Sequence, residues 1–454
     1  MASKPALLAK LSLFDAVLLV IGSVVGSGIF LTTGIIAESL PSPEWILIVW
    51  VVGAVLTLFG GLTLAELGAM MPEAGGQYIY LRNTYGPFAG FMYGWLTFTV
   101  IQSGGIAALA VGFTEYLAYF VPVLGLQNYL LVLGSFTVST GQLIAVSSIV
   151  ILTAINFYGI RSGSTVQNLF TIIKLIAIGL LVIAGIIIIA KNYAGPTATA
   201  AISASEPTNL ISAFGVALIA VLWTYDGWYA VNSVASEIKN PQKNLPLSLI
   251  TGILIIGALY LLINLFYVYS LSIAELKGVV RVGEKTVSVT FGSQIGGAMT
   301  GLILVSILGC LSATILPGPR IYYAMANDGL FFTSFARVHP QHHSPSVAVI
   351  WQGIWASILC LSGTYEQLYT YVVFTSLVFY IALAAAIFIL RQKKPNADRP
   401  YKVWGYPFVP VIFGLAMLLI AINSLVERPL ESMVGIGLIV VGLPVYLFWK
   451  TRAR

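Results

Sequence analysis

The chain has 454 residues, of which 58% are hydrophobic and only 8% charged, with a formal net charge of +6. So few polar side chains cannot cover a soluble globule of this length, which points to an all-α polytopic membrane protein embedded in a lipid bilayer. The basic residues sit at the edges of apolar runs without a stripe of their own, which argues against a nucleic-acid partner, and the two cysteines, Cys310 and Cys360, both fall inside apolar runs, which leaves no disulfide framework.

Apolar runs of about 20 residues predict twelve transmembrane helices, at 12–36, 45–71, 87–120, 139–158, 165–190, 209–235, 246–271, 296–324, 346–362, 366–390, 407–425 and 432–449. The first run is too long for a signal peptide and lacks a small-residue cleavage site, so it is expected to stay as the first span. Asp15 at its entry reads as an N-terminal cap that also suits the helix dipole.

Within that span, Ile21-Gly22-Ser23-Val24-Val25-Gly26-Ser27-Gly28-Ile29-Phe30 places three glycines and two serines at bilayer depth. Two readings compete. Gly22 and Gly26 form a small-xxx-small pattern that lets helices pack closely. Alternatively the helix is discontinuous here, and unwound backbone at that depth must be satisfied by protein, water or ligand.

Glu66 lies near the inner end of the second span and is expected to pin an inner gate or loop. Glu115, in the outer part of the third, is either a proton site or a structural acid. In the fifth span Lys174 sits about ten residues from the helix start, roughly 15 Å in at 1.5 Å per residue. Either the helix starts later and Lys174 snorkels, or it is a fixed cation that holds unwound carbonyls of the first span where a sodium-coupled protein would bind Na⁺. The second reading predicts sodium-independent transport.

The sixth span carries Trp223-Thr224-Tyr225-Asp226-Gly227-Trp228 near its centre, and an acid at membrane depth is costly and usually functional. Interrupted helices at corresponding positions of two halves indicate a secondary transporter built from inverted repeats. The expected organisation is a tail at 1–11, repeats at 12–195 and 206–392, two further spans in 405–450, and a tail at 451–454. In such a site the free amides of Gly26, Ser27, Gly28 and Ile29 suit a carboxylate. The carbonyl ends near Ile21 and Ser23, and near Trp223, Thr224 and Asp226, suit an ammonium. Together they read as a site for a zwitterion.

His339, His342 and His343 crowd one loop, but no carboxylate or cysteine accompanies them, so no metal and no cofactor is expected. Placing the N-terminus in the cytoplasm puts 17 Lys and Arg on inner segments and 5 on outer ones, the bias that sets orientation. Both termini are therefore expected in the cytoplasm, with the chain in the plasma (inner) membrane.

The segments Gly22 to Phe30, Ala65 to Tyr80, Trp223 to Trp228, Glu237 to Pro246 and Arg320 to Phe332 together resemble the amino acid-polyamine-organocation superfamily, and within it the L-amino acid transporter (LAT) family, bacterial type. The resemblance spans nearly the whole chain. It implies a LeuT-type 5+5 inverted repeat with helices one and six discontinuous, and sodium-independent movement of L-amino acids. By position it implies a carboxylate turn at Gly26, Ser27 and Gly28, a carbonyl side at Ile21 and Ser23, and an aromatic gate at Trp223. Lys174 matches the lysine at the sodium-site position, and Cys310 to Thr314 should face the same region.

Animal members pair with a heavy chain through a cysteine after the third span. Residues 121–138 contain none, so no disulfide-linked heavy chain is expected. The gate is Trp where many relatives have Phe, and Asp226 stands where several have Gly, which opens cationic substrates or proton binding at Asp226 or Glu115. The leading reading is an exchanger of neutral amino acids, with a proton-coupled symporter or a non-transporting receptor as alternatives. An intramembrane enzyme is not expected, because the spans lack paired catalytic acids or a nucleophile–base set.

Overall fold

The computed structural model describes residues 7–133, 136–158, 160–191, 209–362 and 364–452. Lys4, Glu206 and Arg454, with the segment joining the two expected repeats and the last two residues of the chain, lie outside the described residues. The described chain is mostly helical. Ten of its helices are long and apolar enough to cross a membrane: Leu13–Ser39, Pro43–Met70, Pro87–Leu117, Thr140–Phe157, Asn168–Ile187, Pro241–Ser270, Ser293–Asn327, Tyr365–Lys393, Phe408–Glu427 and Pro429–Arg452. Leu210–Tyr225 and Ser346–Cys360 are apolar but shorter.

Local chemistry sets where these helices begin. Ser12, Ser139 and Thr364 each accept a hydrogen bond from the third helical amide while the side chain there returns to the cap amide, satisfying two otherwise orphaned donors. Asp15 is that returning side chain, at 2.9 Å from the Ser12 amide, so the cap expected at Asp15 belongs to Ser12. Pro43, Pro87 and Pro241 open their helices, where a missing N–H costs nothing.

The regular helix of the sixth predicted span stops at Tyr225, well short of the expected 235. Asp226 leaves helical geometry at ψ 154°, Gly227 takes φ +94°, and two short turns, Ala230–Ser233 and the 3-10 turn Ala235–Glu237, follow. In the Pro87–Leu117 helix, Thr97–Ile101 widens into a π-helical turn. Such turns displace the residues that follow and recur at functional sites.

Leu13–Val24 and Pro43–Met70 both pack on Pro241–Ser270, and Ser293–Ile315 packs on the Ile160–Lys191 helix. These helices enclose the two interrupted segments. Leu180, Ile183, Leu415, Leu419 and Val440 point outward and are exposed, as lipid-facing side chains are.

Ion pairs cluster at the face that carries Leu11, called here the N-terminal face. Glu237 and Arg320, both buried, pair at 2.9 Å. Glu66, also buried, accepts from Arg391 at 3.0 and 2.7 Å and from the Val403 amide at 2.7 Å, with Arg399 at 3.4 Å. It thereby ties the Pro43–Met70 helix to the segment after Lys393. At the opposite face, strands Tyr129–Leu133 and Phe136–Ser139 form an antiparallel hairpin.

Candidate functional site

Three residues separate the end of Leu13–Val24 from the start of Gly28–Ser39, and most of the carbonyls freed around the break are engaged. The Ile21 carbonyl accepts from the Val25 amide at 2.9 Å, that of Ser23 from the Cys310 thiol at 3.1 Å. Lys174 is fully buried and donates its ammonium to the carbonyls of Gly22, at 3.0 Å, and Val25, at 2.7 Å. The Tyr260 hydroxyl lies 3.1 Å from the Val24 carbonyl and 3.2 Å from that of Thr224, so one proton serves both interrupted helices.

The two breaks touch. A Cβ on Gly28 would lie 3.0 Å from the Thr224 Cα, and one on Gly227 would lie 2.6 Å from the Ser23 carbonyl oxygen. Glycine is required at both positions because backbone meets backbone, and Gly227 also needs its positive φ. Thr224 adds a hydrogen bond from its hydroxyl to that of Thr32 at 3.0 Å.

Between the breaks lies a small cavity of about 30 Å³, space for about two waters. Ser23, Val24, Gly26 and Gly28 line it from the first interrupted helix, and Trp223, Thr224, Asp226, Gly227, Tyr229 and Ala230 from the second. Ile101, Gln102, Gly105 and Leu109 of the Pro87–Leu117 helix close one wall, with Cys310, Thr314 and Pro317 completing it. Asp226 accepts from the hydroxyls of Tyr380, at 3.1 Å, and Tyr229, at 3.3 Å, and is in no ion pair among the described residues.

Of the residues singled out from sequence, Ser23, Gly26, Gly28, Trp223, Thr224 and Asp226 therefore share one cavity. Ile21, Ser27 and Ile29 do not line it. Ser27 turns its hydroxyl to that of Tyr365 at 3.2 Å, and Lys174 stands behind the break. Glu115 belongs to a separate cavity near the opposite face. His339 and His342 stack at 4.3 Å, and no group of three or more metal-ligating side chains occurs among the described residues. Cys310 and Cys360 are buried and free.

Sequence reasoning passed over Gln102, Gly105, Tyr229, Tyr365 and Tyr380. The run Gln102-Ser103-Gly104-Gly105 was the available signal for the first two, a polar and glycine cluster inside an apolar span. Trp223 closes the side toward the opposite face: its indole N–H donates to the Tyr365 hydroxyl at 2.8 Å and its ring stacks on Tyr369 at 5.9 Å. Toward the N-terminal face the chain is latched by backbone bonds. The amides of Lys10 and Leu11 donate to the Glu237 carbonyl at 2.9 and 2.8 Å, and that of Lys239 to the Leu11 carbonyl at 2.8 Å.

Comparison with known proteins gives a consistent picture. Residues 11–448 match the amino acid permease family. The chain is 33% identical to the serine/threonine exchanger SteT of Bacillus subtilis, over 98% of this chain and 97% of that protein. It is 28% identical to the human b(0,+)-type amino acid transporter 1, over 92% and 83% of the two chains. It is 29% identical to the mouse large neutral amino acids transporter small subunit 2, over 99% and 83%.

Proposed function

The chain belongs to the amino acid permease family, and from that premise we propose that it exchanges small neutral L-amino acids across the plasma membrane, independently of sodium, by alternating access. The observation that carries this reading is the cavity where two interrupted helices meet, with the Lys174 ammonium bound to the carbonyls of the first. That ammonium occupies the backbone oxygens a coupling cation would need, so transport has no sodium dependence.

The substrate carboxylate binds the amides at Gly26 and Gly28, which border the cavity at the positive end of the Gly28–Ser39 half-helix, and reaches those expected at Ser27 and Ile29 as the break opens. The ammonium binds carbonyls at the ends of the two preceding half-helices, where Ser23, Val24, Trp223 and Thr224 border the cavity. The Ser23 carbonyl retains a second lone pair for this. The side chain points to the Gly105 and Asp226 wall. The central space is small as it stands, so the shortest side chains, those of serine, threonine or alanine, are the ones it takes once the gate opens, in keeping with the serine/threonine exchanger among the relatives. Trp223 is the gate on the outer side, and the N-terminal face is cytoplasmic.

Ten long apolar helices and two shorter ones support twelve spans. Residues 12–195 and 206–392 form the two inverted repeats, and 405–450 the two spans outside them. With both cysteines buried, the carrier works without a disulfide-linked partner. Asp226 favours one second reading: a carboxylate facing the cavity without an ion pair suits a proton or a cationic side chain.

The test is uptake of labelled L-serine into sodium-free proteoliposomes, either empty or preloaded with unlabelled amino acid. Uptake confined to preloaded vesicles is expected. Uptake into empty vesicles that grows with an inward proton gradient would replace exchange by symport at Asp226. Binding without any uptake would make the protein a receptor.

A further inference from the structure

The second cavity, of about 540 Å³, lies between the last turn of the Pro87–Leu117 helix and the Val282–Phe291 helix, on the face opposite Leu11. Its polar lining is Glu115, Arg281, Glu284, Lys285 and Ser288. Two acids and two bases thus share one space, and the ion pairs among the described residues include none of the four.

Two of the charges are already engaged. Glu284 accepts from the Ser288 hydroxyl at 2.7 Å, and Lys285 donates to the Glu275 carbonyl at 2.6 Å. The other two keep hydrogen-bonding capacity to spare. The Glu115 carboxylate takes no hydrogen bond from the described residues. Arg281 spends one Nη1 donor on the Glu115 backbone carbonyl at 3.3 Å and rests 5.8 Å from the Tyr119 ring, and its other guanidinium donors make no hydrogen bond to the described residues.

We propose that this cavity is a second binding site, an outer vestibule that captures an amino acid zwitterion, with Arg281 on the carboxylate and Glu115 on the ammonium. A simple anion would meet two carboxylates and a simple cation two bases. A solute carrying both signs a few ångströms apart satisfies each group without leaving a like charge uncompensated. The cavity is far roomier than the central one. It is also joined to the transport path: the Gly278 amide donates to the Gly34 carbonyl at 3.2 Å, and Tyr116, next to Glu115, donates to the Phe30 carbonyl at 2.8 Å. Both contacts fall on the Gly28–Ser39 half-helix, so occupancy here bears on the segment that borders the central site. The identity of the solute rests on the exchanger reading above.

The test is equilibrium binding of labelled L-serine to the full chain in nanodiscs, using Gly105→Leu to fill the central cavity. The nearest atoms to a Cβ at Gly105 are Trp223 ring carbons at 4.0 Å, so the added side chain has the cavity to enter. The expected result is a saturable site that survives Gly105→Leu and weakens at least about tenfold when Glu115→Gln or Arg281→Gln is added. Side-specific exchange gives the parallel reading on Glu115→Gln and Arg281→Gln alone, and it decides if Gly105→Leu fails to fold. The KM rises for solute presented at the outer face and stays unchanged from the N-terminal face.

Loss of all saturable binding in folded Gly105→Leu, or residual binding indifferent to both charge changes, overturns the outer site and leaves the exchanger reading intact. A wild-type chain that binds L-serine through Glu115 and Arg281 yet exchanges no amino acid keeps the outer site and overturns the exchanger.

Discussion

The bonds from Lys174 to the Gly22 and Val25 carbonyls leave the first half-helix with no free acceptor on that flank. Replacing Lys174 by Met keeps the volume and removes both donors. Leaving two buried carbonyls unsatisfied should cost about 2–4 kcal/mol, read as a lower melting temperature in detergent, with exchange reduced at least about tenfold. A stable, fully active Lys174→Met chain would remove the lysine from the mechanism. Tyr365 makes a second prediction, since its hydroxyl holds both the Trp223 indole and the Ser27 hydroxyl. Tyr365→Phe should release bound L-serine about fivefold faster in a filter-binding chase, about the worth of one hydrogen bond, and an unchanged off-rate would argue against Trp223 as the gate. Trp223, Asp226 and Gly28 stood out in the sequence because such residues are exceptional at bilayer depth. Gln102, Gly105 and Tyr365 did not, because what makes them matter is the helix that lies opposite, and no single segment encodes that.

At the scale of elements, the stretch around Leu11 is a short strand-like tether between the chain start and the segment after the second break. Three backbone bonds of about 1 kcal/mol each match the few kcal/mol that separate major from minor conformers in switching proteins. Deleting residues 1–11 should therefore raise the share of chains open to the N-terminal face. Cys310 reports this, since its thiol is buried in the cavity wall. In a Cys360→Ala background a membrane-permeable maleimide should modify Cys310 several-fold faster after the deletion, and an equal rate would mean the tether does not restrain opening. The buried Glu237–Arg320 pair stands beside it. Losing one partner of such a pair commonly costs about 3–5 kcal/mol. Helix boundaries were largely legible, since apolar length and proline starts are local signals. The π turn at Thr97–Ile101 was not, because it depends on how neighbouring helices hold the backbone.

For the whole molecule, the uneven spread of Lys and Arg predicts orientation. In a chain whose native cysteines are replaced by Ala, Lys277→Cys and Asp398→Cys place single thiols at exposed positions near opposite faces. An impermeant maleimide added to intact cells should label Lys277→Cys alone, and labelling of Asp398→Cys would invert the topology. The apolar runs conveyed an all-helical chain with many membrane-length helices from sequence alone. The outer vestibule was hidden, because Glu115 and Arg281 are far apart in the chain and meet only through folding. The Lys174 ammonium has a thermodynamic corollary. A charge fastened to the protein never dissociates into either compartment, so it can draw no work from an ion gradient. The sole driving force left to a strict exchanger is the concentration ratio of the solute travelling the other way. For the exchange proposed above, a tenfold outward ratio of one amino acid, about 1.4 kcal/mol, would cap accumulation of another at tenfold, and the cell's own amino acid pool would set both the direction and the ceiling of uptake.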